Sequence, residues 1–239
     1  MKKNILLAVI PLLLVSCSQK ITRDMQYPKM YEEKPVSIVI MPPINQTQHV
    51  EAKDYFYTTM FAPLCEKGYY VFSPLLTMEL FQSESAYDAE QFIEADLSQF
   101  RNVLGADAAM FTIIKSWKRY FSPNGKITPP PKRNNIGGKL TVDVEYILRS
   151  TKTNETLYRR EGNIKVDTSV SGGGGGVFGA LVNLAATAIS TATTDKVIAG
   201  RRCTAYVLSD MPVGKYDTEL YGKDQKLPAG KSFVKATVK

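Results

Sequence analysis

One cysteine near the start of the chain has neighbours that suit a particular covalent modification. Cys17 ends the sequence Leu14-Val15-Ser16-Cys17, which follows a short positive segment and the apolar residues 5–15. This order is typical of a secretory signal that ends in a lipobox, where diacylglycerol is attached to the cysteine sulfur and the peptide is cut just before it. The apolar stretch is too short to cross a bilayer as a helix. We therefore predict a signal peptide over residues 1–16 and lipidation of Cys17.

The residues after Cys17 indicate where the anchored protein would be held. Several acyl chains on one residue give stable membrane anchoring, since each buried CH₂ contributes about 0.8 kcal/mol. Ser18-Gln19-Lys20 lacks the aspartate that retains enterobacterial lipoproteins at the inner membrane. We therefore expect the protein at the periplasmic face of the outer membrane. Residues 18–33 are polar and contain Pro28, which favours a lipidated tether over residues 17–33.

The other two cysteines leave two possibilities open. In an oxidising compartment Cys65 and Cys203 could form a disulfide. Each also lies in a helical pattern among apolar neighbours, as expected of a small buried side chain. A metal site is not expected, because His49 is the only histidine and the chain has no CxxC motif. The sequence predicts no cofactor.

Residue types that could support catalysis or phosphate binding occur without the partners that this chemistry needs. His49 lies in a polar loop, and the chain has no GxSxG motif for a nucleophilic serine. The glycine run at residues 172–176 is not followed by Gly-Lys-Ser/Thr, so a flexible hinge is favoured over a phosphate-binding loop. The sequence therefore predicts a protein that is not an enzyme.

Composition limits the class of protein further. Of 239 residues, 44% are hydrophobic and 22% are charged, which is ordinary for a folded domain and excludes wholesale disorder. The net charge of +7 is scattered along the chain. The basic and aromatic residues 115–120 are better explained as a strand end with Trp117 in the core than as a nucleic-acid site. We expect no nucleic-acid partner.

Strands and helices alternate in the first half of the predicted fold. The β-branched run at residues 35–41 predicts a buried strand, parallel to a neighbour, that ends at Pro42-Pro43. Helical spacing and short apolar runs then predict helices at residues 52–67, 75–82 and 89–104 and strands at residues 69–72 and 108–117. Gly68 and Gly105 would end two of these helices. The order β-α-β-α-α-β predicts an α/β layered domain.

The second half predicts an antiparallel meander. Alternating apolar and polar residues at 139–150 are typical of a half-buried strand, and strands at 108–121 and 155–168 would pair on either side of it. The predicted fold class is therefore α/β, with a mixed sheet and helices packed on it. A further helix is expected at residues 196–208. We assign a single domain to residues 34–209 and a basic, loosely structured tail to residues 210–239.

Two segments are candidates for contacts with other molecules. Asn45 lies at the carboxyl end of the first strand, where α/β folds often bind ligands, although a structural turn is the favoured explanation. Residues 177–190 would form a helix that is apolar on all sides and too short to span a bilayer. This helix either belongs to the core or docks on a partner, and its candidate contact residues are Val177, Phe178, Leu181, Leu184, Ala185 and Ile189.

Several short stretches of the chain together match a known pattern. They are residues 39–45, 63–72 and 104–108, a following strand with Trp117, and residues 177–181 after the glycine run. They resemble a bacterial lipoprotein family of unknown function whose fold is like the N-terminal domain of TolB. The resemblance covers residues 30–210, and it implies a TolB N-terminal-domain-like arrangement. Members are commonly encoded beside a lipoprotein related to the curli-secretion protein CsgG, which implies a shared outer-membrane assembly.

Two functional hypotheses follow. In the first, the protein is a non-catalytic, outer-membrane-anchored component of an envelope assembly for secretion or cell-wall synthesis, and it docks protein partners such as a CsgG-like lipoprotein. In the alternative, it is a periplasmic binding lipoprotein that holds a small or glycan ligand at the carboxyl ends of the strands. A deep polar pocket there would favour the alternative, and a protruding apolar surface would favour docking.

Overall fold

A computed structural model of the chain describes residues 20–83, 89–120, 139–167 and 191–238. Its central sheet follows the strand order β3-β1-β4-β5-β6-β7, and β2 pairs with β4 beyond the end of β1. The strands are β1 (Ser37–Ile40), β2 (Ile44–Asn45), β3 (Tyr70–Val71), β4 (Ala108–Tyr120), β5 (Lys139–Ser150), β6 (Thr156–Asp167) and β7 (Phe233–Val238).

Parallel and antiparallel pairs divide the sheet. β1 is parallel to both β3 and β4, while β4, β5 and β6 form an antiparallel meander. β7 then returns parallel to β6. The predicted fold class, an α/β domain with a mixed sheet and a meander, is confirmed.

Helices cover both faces of this sheet. They are α1 (Arg23–Gln26), α2 (Pro28–Glu33), α3 (Ala52–Thr59), α4 (Phe61–Glu66), α5 (Pro74–Ser83), α6 (Ser98–Leu104) and α7 (Thr191–Val207). Because side chains alternate along a strand, β1 and the residue after it contribute Ile38 and Ile40 to one apolar core and Val39 and Met41 to the other. The first core includes residues of α2, α3, α4 and α7, and the second includes residues of α5 and α6.

Two of the expected helices are shorter than the apolar spacing suggests. The helix expected at 52–67 is divided after Thr59. In a continuous helix, the ring of Pro63 would clash with the carbonyl of Thr59, four residues earlier. The helix expected at 89–104 is a 3₁₀ turn at Ala89–Phe92 followed by α6. Asp96 accepts hydrogen bonds from the Ser98 amide and hydroxyl, so a local turn restarts the helix there.

A bulge in β4 sets the position of Trp117. The pairing with β5 shifts between Ile114 and Ser116, so Ile114 and Trp117 both lie in the first core. Trp117 is 6% exposed and packs edge-on against Phe56, with ring centroids 5.7 Å apart. The adjacent Lys115 Nζ lies 2.8 Å from Glu145 and 3.1 Å from Glu161. The low exposure of Trp117 and its contact with Phe56 place it in the core, as the sequence predicts.

The prediction of a polar tether is wrong for residues 23–33, which form α1 and α2. Tyr27 and Met30 are each 4% exposed in the first core, and Tyr27 packs on Tyr158 with ring centroids 4.9 Å apart. Pro28 occupies the first turn of α2, where its fixed φ favours a helix. A few buried side chains at helical spacing are therefore enough to fold a segment that is polar on average.

The prediction of a loosely structured tail is also wrong for residues 210–238. β7 continues the sheet, and Met211 and Asp224 are 0% and 1% exposed. The segment turns back at Gly214, whose amide donates to the Lys67 carbonyl at 2.7 Å. A Cβ at Gly214 would lie 2.3 Å from the Gly68 carbonyl oxygen, so this close approach requires glycine. The folded unit thus extends beyond residues 34–209 at both ends.

The first core contains tyrosines whose hydroxyl groups hydrogen-bond inside the protein. Tyr69 donates to the Pro212 carbonyl at 2.7 Å, and Tyr158 donates to the Val207 carbonyl at 3.0 Å. The Tyr146 hydroxyl lies 2.7 Å from that of Thr204. Burial raises the pKa of Tyr69, Tyr146 and Tyr158 above the ordinary value of 10.0, because the phenolate would lose its hydration.

The folded N-terminal segment predicts opposite outcomes for two methionines. Met30→Ala should lower the free energy of unfolding by about 2–5 kcal/mol, because it leaves a cavity in the core. Met25 is 66% exposed, and Met25→Ala should change that energy by less than about 0.5 kcal/mol. Urea unfolding measures both. Equal, small effects would mean that residues 23–33 are a tether after all.

The buried tyrosines predict a loss of stability at high pH. Their folded pKa values lie above the unfolded value of 10.0, so their contribution is complete below pH 10 and falls as the pH rises further. Each should remove about 1.4 kcal/mol per pH unit in that range. Tyr158→Phe should make this decline less steep, whereas Tyr216→Phe, at a site that is 61% exposed, should not. Unfolding midpoints across pH 9–12 measure the slope, and identical slopes would contradict the assignment.

Candidate functional site

Asn45 organises the loop that follows β2. Its side-chain oxygen accepts hydrogen bonds from the Thr47 amide at 3.0 Å and the Thr47 hydroxyl at 2.8 Å. Its side-chain nitrogen donates to the His49 carbonyl at 2.7 Å. Both ends of the amide are therefore engaged within the loop, as in an Asx turn. His49 itself is exposed, and its backbone closes this turn.

A cavity of about 200 Å³ lies at the carboxyl end of β1, where sequence reasoning placed the alternative ligand site. It opens where Pro42-Pro43 interrupts the strand, between α3 and α5. Its lining residues are Pro42, Pro43, Lys53, Asp54, Tyr57, Met78, Phe81 and Gln82. Asn45 is not one of them, because its side-chain hydrogen bonds lie within the turn after β2. A ligand site at the carboxyl ends of the strands stays a prediction.

The cavity combines an apolar wall with a charged rim. Met78 and Phe81 of α5 form part of the wall, and Asp54 on α3 is exposed. The Tyr57 hydroxyl donates to the Pro74 carbonyl at 2.9 Å and lies 3.0 Å from the Thr77 hydroxyl, so it holds α3 against α5. The volume is below the roughly 300 Å³ of typical ligand pockets. It suits a small ligand or a single side chain of a partner.

Cys65 and Cys203 are both free thiols, and the disulfide that the sequence allowed is not formed. Cys203 is buried on α7, and burial raises the pKa of its thiol. Cys65 is exposed on α4. The two helical patterns therefore differ: the expectation of a small buried side chain holds for Cys203, whereas Cys65 faces outward.

Other predicted site residues lie outside the described part of the chain. These are Cys17 and the candidate docking residues Val177, Phe178, Leu181, Leu184, Ala185 and Ile189. Within the described ranges, every helix is too short or too polar to cross a bilayer. The same ranges hold no group of three or more His, Cys, Asp or Glu side chains arranged for a metal ion.

Sequence reasoning missed a buried cluster of charged side chains that joins the two ends of the described chain. The Asp224 carboxylate, 1% exposed, accepts hydrogen bonds from the Tyr31 hydroxyl at 3.1 Å and the Val213 amide at 3.0 Å. Arg23 Nη1 lies 3.4 Å from the same carboxylate. Local periodicity cannot indicate a contact over 201 residues of chain.

A second carboxylate completes this cluster. Asp210 is 6% exposed, accepts a hydrogen bond from the Tyr27 hydroxyl at 2.8 Å and lies 3.6 Å from Arg23 Nε. Arg160 is also buried, and it donates to the Val207 carbonyl at 2.9 Å and the Lys231 carbonyl at 3.0 Å. Both carboxylates are thus held by partners, which offsets the cost of burying their charge.

Lys67 lies at the edge of the cluster, and its side chain hydrogen-bonds to two backbone carbonyls there. Its Nζ donates to the Ser209 and Met211 carbonyls, each at 3.1 Å. Burial, followed by the positive charge of Arg23, lowers the pKa of Lys67 to about 8, while the negative charge of Asp210 opposes this shift. Lys67 therefore ties α4 to the segment that follows α7.

The motif at residues 104–108 is architectural. Gly105 ends α6 with φ 71°, in the left-handed region that favours glycine. The Asp107 carboxylate accepts hydrogen bonds from the Val36 amide at 3.0 Å and the Ser37 amide at 3.1 Å. It therefore fixes the start of β1 beside the start of β4.

A family model matches most of the sequence. Residues 25–214 match the family described as "Putative lipoprotein GNA1162-like". A relative, "Putative lipoprotein NMB1124/NMB1162" of Neisseria meningitidis serogroup B (strain ATCC BAA-335 / MC58), is 24% identical over 208 residues. That alignment covers 87% of this chain and 90% of the relative.

Two solved structures are also similar to the chain. The crystal structure of lipoprotein GNA1162 from Neisseria meningitidis has a TM-score of 0.46 and 20% identity, and it covers 65% of this chain and 99% of that one. A PelC dodecamer from Paraburkholderia phytofirmans has a TM-score of 0.40 and 9% identity, and it covers 80% of this chain and 89% of that one. Because the family match extends over residues 25–214, the chain belongs to the GNA1162-like family of putative lipoproteins.

Proposed function

We propose that the protein is anchored through lipidated Cys17 at the periplasmic face of the outer membrane, as a non-catalytic component of an envelope assembly. The observation that carries this proposal is the lipobox at residues 14–17 in a chain of a lipoprotein family. Ser18-Gln19-Lys20 supports outer-membrane sorting, since no aspartate follows the cysteine.

The roles of the acidic side chains support a non-catalytic protein. Glu33 accepts hydrogen bonds from the Ser150 and Thr153 hydroxyls, each at 2.6 Å. Asp96 accepts a hydrogen bond from the Asn154 side chain at 2.9 Å, and Glu145 is paired with Lys115 and with Arg159. These carboxylates connect different elements of the fold, as expected of acidic side chains with a structural role.

An exposed apolar surface supports the docking of a protein partner. We call it the β3–α5 surface, and it consists of Tyr70, Leu75 and Leu76, which are 53%, 68% and 65% exposed. Tyr70 belongs to β3, which ends the strand order of the described sheet, and the leucines begin α5. Clustered exposed apolar side chains are typical of protein interaction sites. A CsgG-like envelope lipoprotein is the partner that the family resemblance favours.

The cavity at the carboxyl end of β1 favours a second candidate function. Its apolar wall and charged rim suit a periplasmic binding lipoprotein that takes a small molecule. In that case, the β3–α5 surface would not be needed for function.

The anchor predicts a difference between two cysteines. Cys17→Ala should leave the protein uncut or release it from the membrane fraction, because alanine has no sulfur to which diacylglycerol can be attached. Cys65→Ala removes an exposed thiol elsewhere in the chain and should leave fractionation unchanged. Fractionation of cell envelopes, with intact mass spectrometry of the purified protein, measures both. A Cys17→Ala protein that is still cut and still sediments with the membranes would overturn the anchor.

Affinity purification from native membranes distinguishes the two functional candidates. The docking proposal predicts that an envelope protein copurifies, and that Leu75→Lys with Leu76→Lys removes it while leaving the melting temperature unchanged. Val50→Lys, at a site that is 81% exposed, is the matched control and should retain the partner. A bound small molecule in native mass spectra, removed by Met78→Trp, together with partner-free protein, would favour the binding lipoprotein instead.

A further inference from the structure

The first described residues are fixed to the end of the chain by backbone hydrogen bonds. The Ala229 amide donates to the Ile21 carbonyl at 2.8 Å, and the Arg23 amide donates to the Leu227 carbonyl at 3.0 Å. Thr22 and Pro228 form an antiparallel bridge between these two bonds. Because Arg23 also enters the buried cluster, Ile21 has a defined position on the folded domain.

Very little chain separates this fixed point from the proposed anchor. Residues 18–20 are all that lie between Cys17 and Ile21. A fully extended chain spans at most about 3.3–3.6 Å per residue, so the four steps from Cys17 to Ile21 reach about 14 Å. The acyl chains would hold Cys17 at the level of the lipid headgroups. The surface around Ile21 must therefore lie close to the bilayer.

This anchor-proximal surface consists of Lys20, Ile21, Met25, Lys226 and Leu227. Ile21, Met25 and Leu227 are 55%, 66% and 40% exposed, and both lysines are exposed. The Lys226 ammonium contacts Asp24, whose charge it neutralises. The buried Asp224 is paired with Arg23 and does not reach solvent. Since Lys226 is paired with Asp24, the surface presents apolar side chains beside the positive charge of Lys20.

We propose that the anchor-proximal surface binds the anionic lipid headgroups of the leaflet that carries the acyl chains. Lys20, next to the short anchor, would meet the negative surface potential of such a leaflet, and the exposed apolar side chains would enter the interface beside it. The domain is then held in one orientation on the membrane. This inference rests on the proposed lipidation of Cys17.

The same orientation defines what the rest of the molecule can reach. Contact at Ile21 and Leu227 fixes which side of the domain faces the lipid. The proposal requires the β3–α5 surface to face away from the lipid if it is to bind a partner. The proposal therefore predicts different environments for two equally exposed residues, one on each surface.

Spin labels at Met25 and Leu76 test this difference, since the two side chains are 66% and 65% exposed. Met25→Cys and Leu76→Cys would each be made with Cys65→Ala, and the lipidated protein would be placed in vesicles of phosphatidylethanolamine and phosphatidylglycerol. Collisions of each nitroxide with oxygen, which is enriched in lipid, and with a water-soluble nickel chelate would be compared. The label at residue 25 should have at least roughly twice the oxygen-to-nickel ratio of the label at residue 76.

Charge provides an independent arm of the test. Lys20→Gln with Lys226→Gln should lower the ratio at residue 25, as should 1 M salt, where the Debye length is about 3 Å. Lys152→Gln with Lys165→Gln removes two other exposed lysines and should leave the ratio unchanged. Thermal unfolding in detergent verifies that each variant is folded.

Each contrary result has a distinct meaning. Equal ratios at residues 25 and 76 in protein that sediments with the vesicles would overturn the surface assignment and leave the anchor intact. Protection of residue 25 from both oxygen and the nickel chelate would mean that a second protein copy, not lipid, covers the surface. Protein that fails to acquire lipid at Cys17 would overturn both the anchor and this inference.

Discussion

The ion pair between Arg23 and Asp224 is the interaction on which the arrangement of both chain ends depends. A carboxylate that is 1% exposed is tolerated only when it is paired and hydrogen-bonded. Arg23, Tyr31 and the Val213 amide supply those partners from α1, from α2 and from the C-terminal segment. Each end has other contacts, in the first core and in the sheet, but the buried charge of Asp224 is compensated only when both ends are in place.

Local sequence patterns predicted the parts of the fold that local physics determines. The β-branched run at residues 35–41 and the alternation at 139–150 give the correct strands, since the side-chain period is set by the backbone. The chain ends were missed because polar contacts between distant residues hold them. Two smaller errors had visible signals: Pro63 marks the break between α3 and α4, and Asp96 marks the restart at α6.

Asn45, which the sequence places at the carboxyl end of the first strand, does not line the cavity that lies there. The carboxyl end of β1 does hold a cavity, because Pro42-Pro43 interrupts the strand there and α3 and α5 close over the gap. Asn45 lies beyond this gap, since β2 resumes the pairing with β4 at Ile44 and carries Asn45 along the sheet. Only the register of the strands reveals this displacement.

The meeting of the two ends also sets the order in which the protein can mature. A chain that is exported with its N-terminus first presents Arg23 long before Asp224 has crossed the membrane. Arg23 and Asp224 are 201 residues apart in sequence, so their ion pair can form only near the end of translocation. Until then α1 and α2 lack their partners, and the segment next to Cys17 stays accessible. If Cys17 is lipidated and the signal peptide is cut as we propose, the enzymes responsible would act before residues 20–33 fold against the domain.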